Sequence, residues 1–482
     1  MPSSPGLSRP RGRSPGALRA WVNLPGGGYY PYPLHDRQAR LLAHVGEWQR
    51  AEAVMRSCCE FADRHRLDGV LADARTLLGM LLLERFENAE AASLAGRALA
   101  HHRAAGDRRG LKASLRCVAR AQTQLGEYGD AAATLTELLE LCRGLGDDDG
   151  AIVAESDLAD ISWARGDFPA AMRGYQAKLE LAGRTGNRAA ACTALASIGN
   201  IHWTKGQPDQ ALDHYRRALD IARAIGDRFQ YSKVLNLSGI ALFESGRYRE
   251  SRQACEEQIG IAEMLGDQRG IASGRGNLGR VLWHTGSLRE ALECYAEAER
   301  IAERTGDRLT ALAAAGNTGW VHMDLGEFGP ARENLERAVA MARGMGAKYY
   351  LCLYTLALAQ LDLMSGPRPG TPALLDEGAA LADELGNGEL ALKAGFLRCR
   401  MAETEDPKRA AGMFEALLAG QIDDASRAEI SSELYRLTGK QGHRRLALDL
   451  LRKIYRATGS ADYRRMIEEL EASGGKDETG AR

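Results

Sequence analysis

Glycine recurs in this chain at a fixed interval. One series falls at Gly46, Gly126, Gly166, Gly206, Gly246, Gly286, Gly326 and Gly366, with steps of 40 residues or a multiple. A second runs through Gly106, Gly146, Gly186, Gly226, Gly266, Gly306, Gly346 and Gly386 with the same step, and only the first series misses a beat, at Phe86. Such a period marks stacked supersecondary repeats, none of which can bury its apolar face alone.

Between glycines the apolar residues follow helical spacing, as in Ile198, Ile201, Ala211, Tyr215, Ala218 and Ala222. Each repeat is therefore expected to be two antiparallel helices, with a first-series glycine at the turn between them. Pro169, Pro208 and Pro330 follow that glycine within four residues, where the first helical turn tolerates a missing N–H. Gly-Asp steps at Gly106-Asp107, Gly226-Asp227, Gly266-Asp267 and Gly306-Asp307 are expected to end one helix and cap the next. Two columns stay small: Ala119, Ala159, Gly199, Gly239, Gly279 and Gly319, and Ala91, Ala131, Ala171, Ala211, Ser251, Ala291 and Ala331. A large residue in either would cost about 1–3 kcal/mol by overpacking. Tyr175, Tyr215 and Tyr295 occupy a complementary large slot.

Ile198-Gly199 or Leu278-Gly279 in the first helix, glycine at the turn, Ala211 five residues later and Tyr215 four beyond that resemble the tetratricopeptide repeat. The long period and the Gly-Asp joint are similar to the subclass found in kinesin light chains, Pins-type signalling modulators and bacterial peptide-sensing regulators. The resemblance spans about residues 36–386. It implies an all-α, right-handed superhelical solenoid of antiparallel helix pairs whose first helices line a concave groove. It leaves function open, because such repeats bind unrelated partners.

The organisation read from these patterns has four parts. Residues 1–34, with seven prolines, Gly26-Gly27-Gly28 and no acidic residue, form a disordered basic arm, read as a leader or an early start codon. A transit peptide or contact with an acidic partner is the alternative. Residues 35–386 form the solenoid, a short N-terminal unit followed by eight units of 40 residues; in the last of these, Gly366-Pro367-Arg368-Pro369-Gly370 lengthens the turn and is expected to be mobile. Residues 387–472 are degenerate helical repeats ending in a polar cap, and 473–482 are a polar tail.

A formal net charge of −1 gives no electrostatic case for nucleic acid or an anionic membrane as ligand. The nine cysteines are odd in number, scattered and without a C-x-x-C pair, which argues against a disulfide framework or a zinc site and fits a reducing cytoplasm. No P-loop, H-E-x-x-H or nucleophile elbow is present, so the expectation is a non-enzymatic chain with no cofactor and no metal. Gly274-Arg275-Gly276-Asn277-Leu278-Gly279 matches G-x-G-x-x-G but falls inside a first helix, where that fingerprint cannot cradle a dinucleotide.

Three positions per first helix, spaced i, i+4 and i+7, share one face. They read Arg116, Arg120, Thr123; Ser156, Asp160, Trp163; Ala196, Asn200, Trp203; Asn236, Ile240, Phe243; Gly276, Arg280, Trp283; and Gly316, Trp320, Met323. The last members form an aromatic ladder, either open to the groove or packed on the next repeat, that continues as Met323 and Leu363. Between the rungs stand Asn200, Asn236, Asn277 and Asn317 with Arg120, Lys233, Arg275 and Arg280, residue types that pair with a peptide main chain or hold a carboxylate. The candidate groove is thus Arg116, Arg120, Asp160, Trp163, Asn200, Trp203, Lys233, Asn236, Phe243, Asn277, Arg280, Trp283, Asn317 and Trp320. The expected function is a scaffold or adaptor that binds a protein or peptide there. Alternatives are a ligand-sensing regulatory subunit of a signalling system whose effector is a separate chain, and a self-associating structural solenoid.

Overall fold

The computed structural model describes residues 22–23, 29–30, 32–44, 48–84, 87–420 and 422–474. The readings of Gly46, Phe86, the tail from residue 475 and most of residues 1–34 lie outside them. Within 1–34, Val22–Asn23 and Tyr29–Tyr30 pair antiparallel, Val22 opposite Tyr30, and the first helix already begins at Tyr32.

The remaining described structure is helical and falls into two compact bodies, residues up to Ala194 and residues from Leu195 onward. The N-terminal body holds α1 (Tyr32–His44), α2 (Trp48–Arg64), α3 (Asp68–Leu83), α4 (Asn88–Ala105), α5 (Arg108–Leu125), α6 (Tyr128–Leu145), α7 (Asp148–Ala164) and α8 (Phe168–Thr185). The division falls within α9 (Arg188–Thr204). The C-terminal body continues with α10 (Pro208–Ile225), α11 (Arg228–Glu244), α12 (Tyr248–Leu265), α13 (Gln268–His284), α14 (Leu288–Thr305), α15 (Arg308–Asp324), α16 (Phe328–Met345), α17 (Lys348–Ser365) and α18 (Thr371–Leu385). Five further helices close it: α19 (Gly388–Glu403), α20 (Pro407–Leu418), α21 (Asp424–Thr438), α22 (Gln441–Thr458) and α23 (Ala461–Gly474).

The joints explain the glycine series. Gly226 ends α10 at φ 72°, in the left-handed region, while Asp227 N–H donates back to the Ala222 carbonyl at 3.0 Å. The Asp227 side chain then accepts from Gln230 N–H at 3.0 Å and caps α11. Asp107, Asp147, Asp267 and Asp307 cap their helices in the same way. In the small column, a Cβ on Gly199 would stand 2.5 Å from the ring of Tyr215, and one on Gly279 2.8 Å from that of Tyr295.

The turn at Gly366–Gly370 is anchored where it meets α18. Thr371 Oγ1 donates to Asp362 Oδ2 at 2.8 Å and accepts from Arg368 N–H at 3.0 Å, and Arg332 pairs with the same carboxylate. Asp362 is buried, so the turn is tied to a charge that cannot be left unpaired.

Odd-numbered helices approach one another in the N-terminal body at α1, α3 and α5, and in the C-terminal body from α11 through α19. No two even-numbered helices among the described residues approach as closely. Over those stretches the repeats therefore bend with their odd helices on the inside.

Candidate functional site

In the C-terminal body the inner face is built by α11, α13 and α15. Asn277 Nδ2 donates to Asn236 Oδ1 at 2.9 Å, and Ser273 Oγ stands 3.3 Å from the same oxygen. The Arg280 guanidinium lies 4.3 Å over the ring of Phe243. Trp283 stacks on Trp320 at 5.8 Å, and Trp320 leans on Tyr354 at 5.5 Å. Asn317 is half-buried beside them, and Lys233 is exposed with its ammonium 4.4 Å over Phe229.

The aromatic ladder is neither free nor buried. Trp163, Trp203, Phe243 and Trp283 are all half-buried, and two indoles are tied one repeat onward. Trp203 Nε1 donates to Glu244 at 2.7 Å and Trp283 Nε1 to Asp324 at 2.6 Å. Each of these two rungs thus stitches two repeats through its edge and keeps part of its face open. The ladder does not extend through Met323, which is buried.

Several expected contacts are already engaged within the chain. Tyr215 O–H donates to Asn200 Oδ1 at 2.6 Å, and Tyr175 O–H donates to Asp160 in the same manner one repeat earlier. Arg120 pairs with Glu84 at 2.7 Å, and Arg275 with Glu263 and Glu297. Arg280 breaks the pattern, since it occupies the column of Asp160 and Asn200 and offers a donor where they offer an acceptor. The buried Tyr295 hydroxyl and Arg280 Nε consequently have no hydrogen-bond partner, and Arg280 forms no ion pair among the described residues.

The N-terminal body carries features that sequence reasoning missed. A cleft of about 1040 Å³ runs along α1, α3, α5 and α7, lined among others by Asp36, Asp73, Asp107, Lys112 and Arg116. Asp73 and Asp107 of this lining and the buried His102 bring potential metal-ligating atoms within 4.8 Å of one another. A second cleft of about 520 Å³ is lined by Ser156, Asp157 and Lys178. The buried Lys178 donates to Ser156 Oγ at 3.0 Å. Burial pulls the Lys178 ammonium below its usual range, and burial with the nearby Asp160 pushes Asp157 up to about 6. The signal was present in the columns: Lys178 stands where other repeats have Ala218, Ala298 and Ala338, and His102 where they have Ala182, Ala222 and Ala262.

The G-x-G-x-x-G stretch lies inside α13, which follows α12 directly. No helix among the described residues is long and apolar enough to cross a membrane.

A family model for the tetratricopeptide repeat matches residues 150–224, 230–304 and 270–344. No curated protein matches the chain in sequence. Among solved structures, a Rap protein complexed with competence and sporulation factor is 13% identical, with 81% of this chain and 99% of that one covered and a TM-score of 0.48. The apo form of the quorum sensor NprR from B. thuringiensis is 12% identical over 79% and 98% of the two chains, with a TM-score of 0.48. Aspartyl phosphate phosphatase F from Bacillus subtilis is 14% identical over 72% and 92%, with the same score of 0.48.

Proposed function

We infer that this chain, a tetratricopeptide-repeat protein, is a non-catalytic binding module that holds a peptide, or an extended segment of a protein, against the odd helices of its C-terminal body. The observation that carries this reading is Arg280. A guanidinium stacked on Phe243 and flanked by Trp283 and Asn277, with no carboxylate partner, is an anchor for an acidic side chain or a chain terminus. Around it, the stacked Trp283 and Trp320 offer rigid apolar area, and the paired Asn236 and Asn277 keep amide groups for a peptide backbone. Asn317 and Lys233 extend the same row, as does the part of α9 carrying Asn200 and Trp203. Binding itself is then the activity, whether the chain serves as scaffold or as regulator.

The test is selection of a random-peptide display library on the full chain. Enriched peptides should carry an acidic residue or a free carboxyl end, and their Kd should weaken about tenfold or more in Arg280→Gln, the loss of one charge-assisted hydrogen bond. Enrichment of neutral peptides that bind Arg280→Gln as tightly as wild type would overturn it.

A further inference from the structure

His102 breaks a repeat rule in the N-terminal body. Its column otherwise holds Cys142 and then alanine from Ala182 to Ala382, so an imidazole has been placed where the repeat packs a methyl group. Room for it comes from the next helix, because a Cβ on Gly110 would stand 2.2 Å from His102 Nδ1. The ring is only 2% exposed. One carboxylate faces each nitrogen: Asp107 Oδ2 lies 3.2 Å from Nδ1 and Asp73 Oδ1 lies 3.7 Å from Nε2. Nε2 has no hydrogen-bond partner. A buried ring nitrogen left so is costly, and native folds rarely leave one without cause.

Two occupants could satisfy it. A proton would make an imidazolium between two aspartates, and such charge-assisted bonds close to about 2.7–2.9 Å. A metal ion holds nitrogen and oxygen ligands about 2.0–2.2 Å from itself, which at a near-tetrahedral angle places the two ligand atoms about 3.4 Å apart. The 3.7 Å between Nε2 and Asp73 is too long for the first arrangement and close to the second. Asp107 is meanwhile fixed as the cap of α5, accepting from Arg109 N–H at 3.1 Å, so it can accept from Nδ1 and hold the ring with Nε2 toward Asp73.

We propose that Asp73 and His102 bind a divalent first-row metal ion of the zinc and cobalt class at the wall of the N-terminal cleft, with Asp107 orienting the imidazole. Imidazole with carboxylate suits that class better than magnesium or calcium, which favour oxygen alone. Asp36 lines the same cleft and adds negative charge, while Arg40 pairs with Asp36 and Arg109 stands nearby. With two protein ligands, one of them the half-exposed Asp73 on the cleft side, the ion would be exchangeable.

Metal-depleted full-length chain titrated with Co²⁺, followed by visible absorption and calorimetry, tests this. The expected result is saturation at one Co²⁺ per chain, displacement by Zn²⁺, and no sulfur-to-cobalt charge-transfer band from the cysteines. Asp73→Asn, a half-exposed position whose fold is checked by circular dichroism, should weaken binding about tenfold or more, and His102→Gln should abolish it. Absence of saturable binding, unchanged affinity in Asp73→Asn, or a sulfur charge-transfer band that persists in the variants would each overturn the proposal.

Discussion

A single methyl group separates the consequences of two glycines that sequence reasoning treats alike. Gly276 and Gly316 occupy matching positions in α13 and α15, yet a Cβ on Gly276 would meet nothing within 4 Å, whereas one on Gly316 would stand 2.0 Å from Tyr354 Cε1. Gly276→Ala should therefore stabilise the chain by about 0.5–1 kcal/mol through helix propensity. Gly316→Ala should destabilise it by about 1–3 kcal/mol through overpacking. Opposite shifts in the circular-dichroism melting temperature check the pair; equal shifts would refute the packing assigned to Tyr354. The column was legible in the sequence, but the neighbour that closes one site and spares the other was not, because Tyr354 reaches Gly316 from α17. Asp157 gives a prediction of pH dependence. Its carboxyl is pushed up to about 6 by burial and by Asp160, so the folded chain holds the proton more tightly than the unfolded chain does. That contribution to stability is complete below the ordinary carboxylate range and is lost as pH rises through about 6. Asp157→Asn should accordingly melt higher than wild type at pH 7.5, and the difference should vanish near pH 4.

Capping decides how firmly each helix begins. Asp267 and Asp307 accept from the N–H of Gly270 and Thr310 at 3.0 and 3.1 Å, while α17 starts after Ala347, which offers no side-chain acceptor. Ala347 has the backbone angles of those caps, φ −81° and ψ 74° against −80° and 80° at Asp307. Ala347→Asp should therefore supply the missing cap and add about 0.5–2 kcal/mol, read as a higher melting temperature. No gain, with the fold intact, would mean the Gly-Asp joint owes its stability to the glycine alone. These joints could be read from the sequence because capping is local: glycine, aspartate and the first turn are adjacent in the chain. Contacts between elements were harder. Trp203 to Glu244 and Trp283 to Asp324 each depend on which way an indole turns, and column position does not encode that. The Asp73, His102 and Asp107 cluster draws on α3, α4 and the cap of α5, so reading only first helices passed over it.

At the scale of the whole molecule, the 40-residue period and the small columns were enough for an all-α solenoid, because every repeat answers the same packing problem. The candidate site was only half legible. The aromatic and asparagine positions follow from periodicity, but Asp160 and Asn200 are satisfied by tyrosines of their own repeats and Arg280 is not, a distinction made by comparing columns across two helices. The dense helix pairings join only elements next to each other or one apart along the chain. For these pairings the entropy of bringing residues together is therefore spent over a span of about one or two repeats, which keeps relative contact order low, the approach of Gly246 to Thr458 being an exception. The time this chain needs to find its fold is then set by the closing of one helix pair on the next, and hardly by its 482 residues.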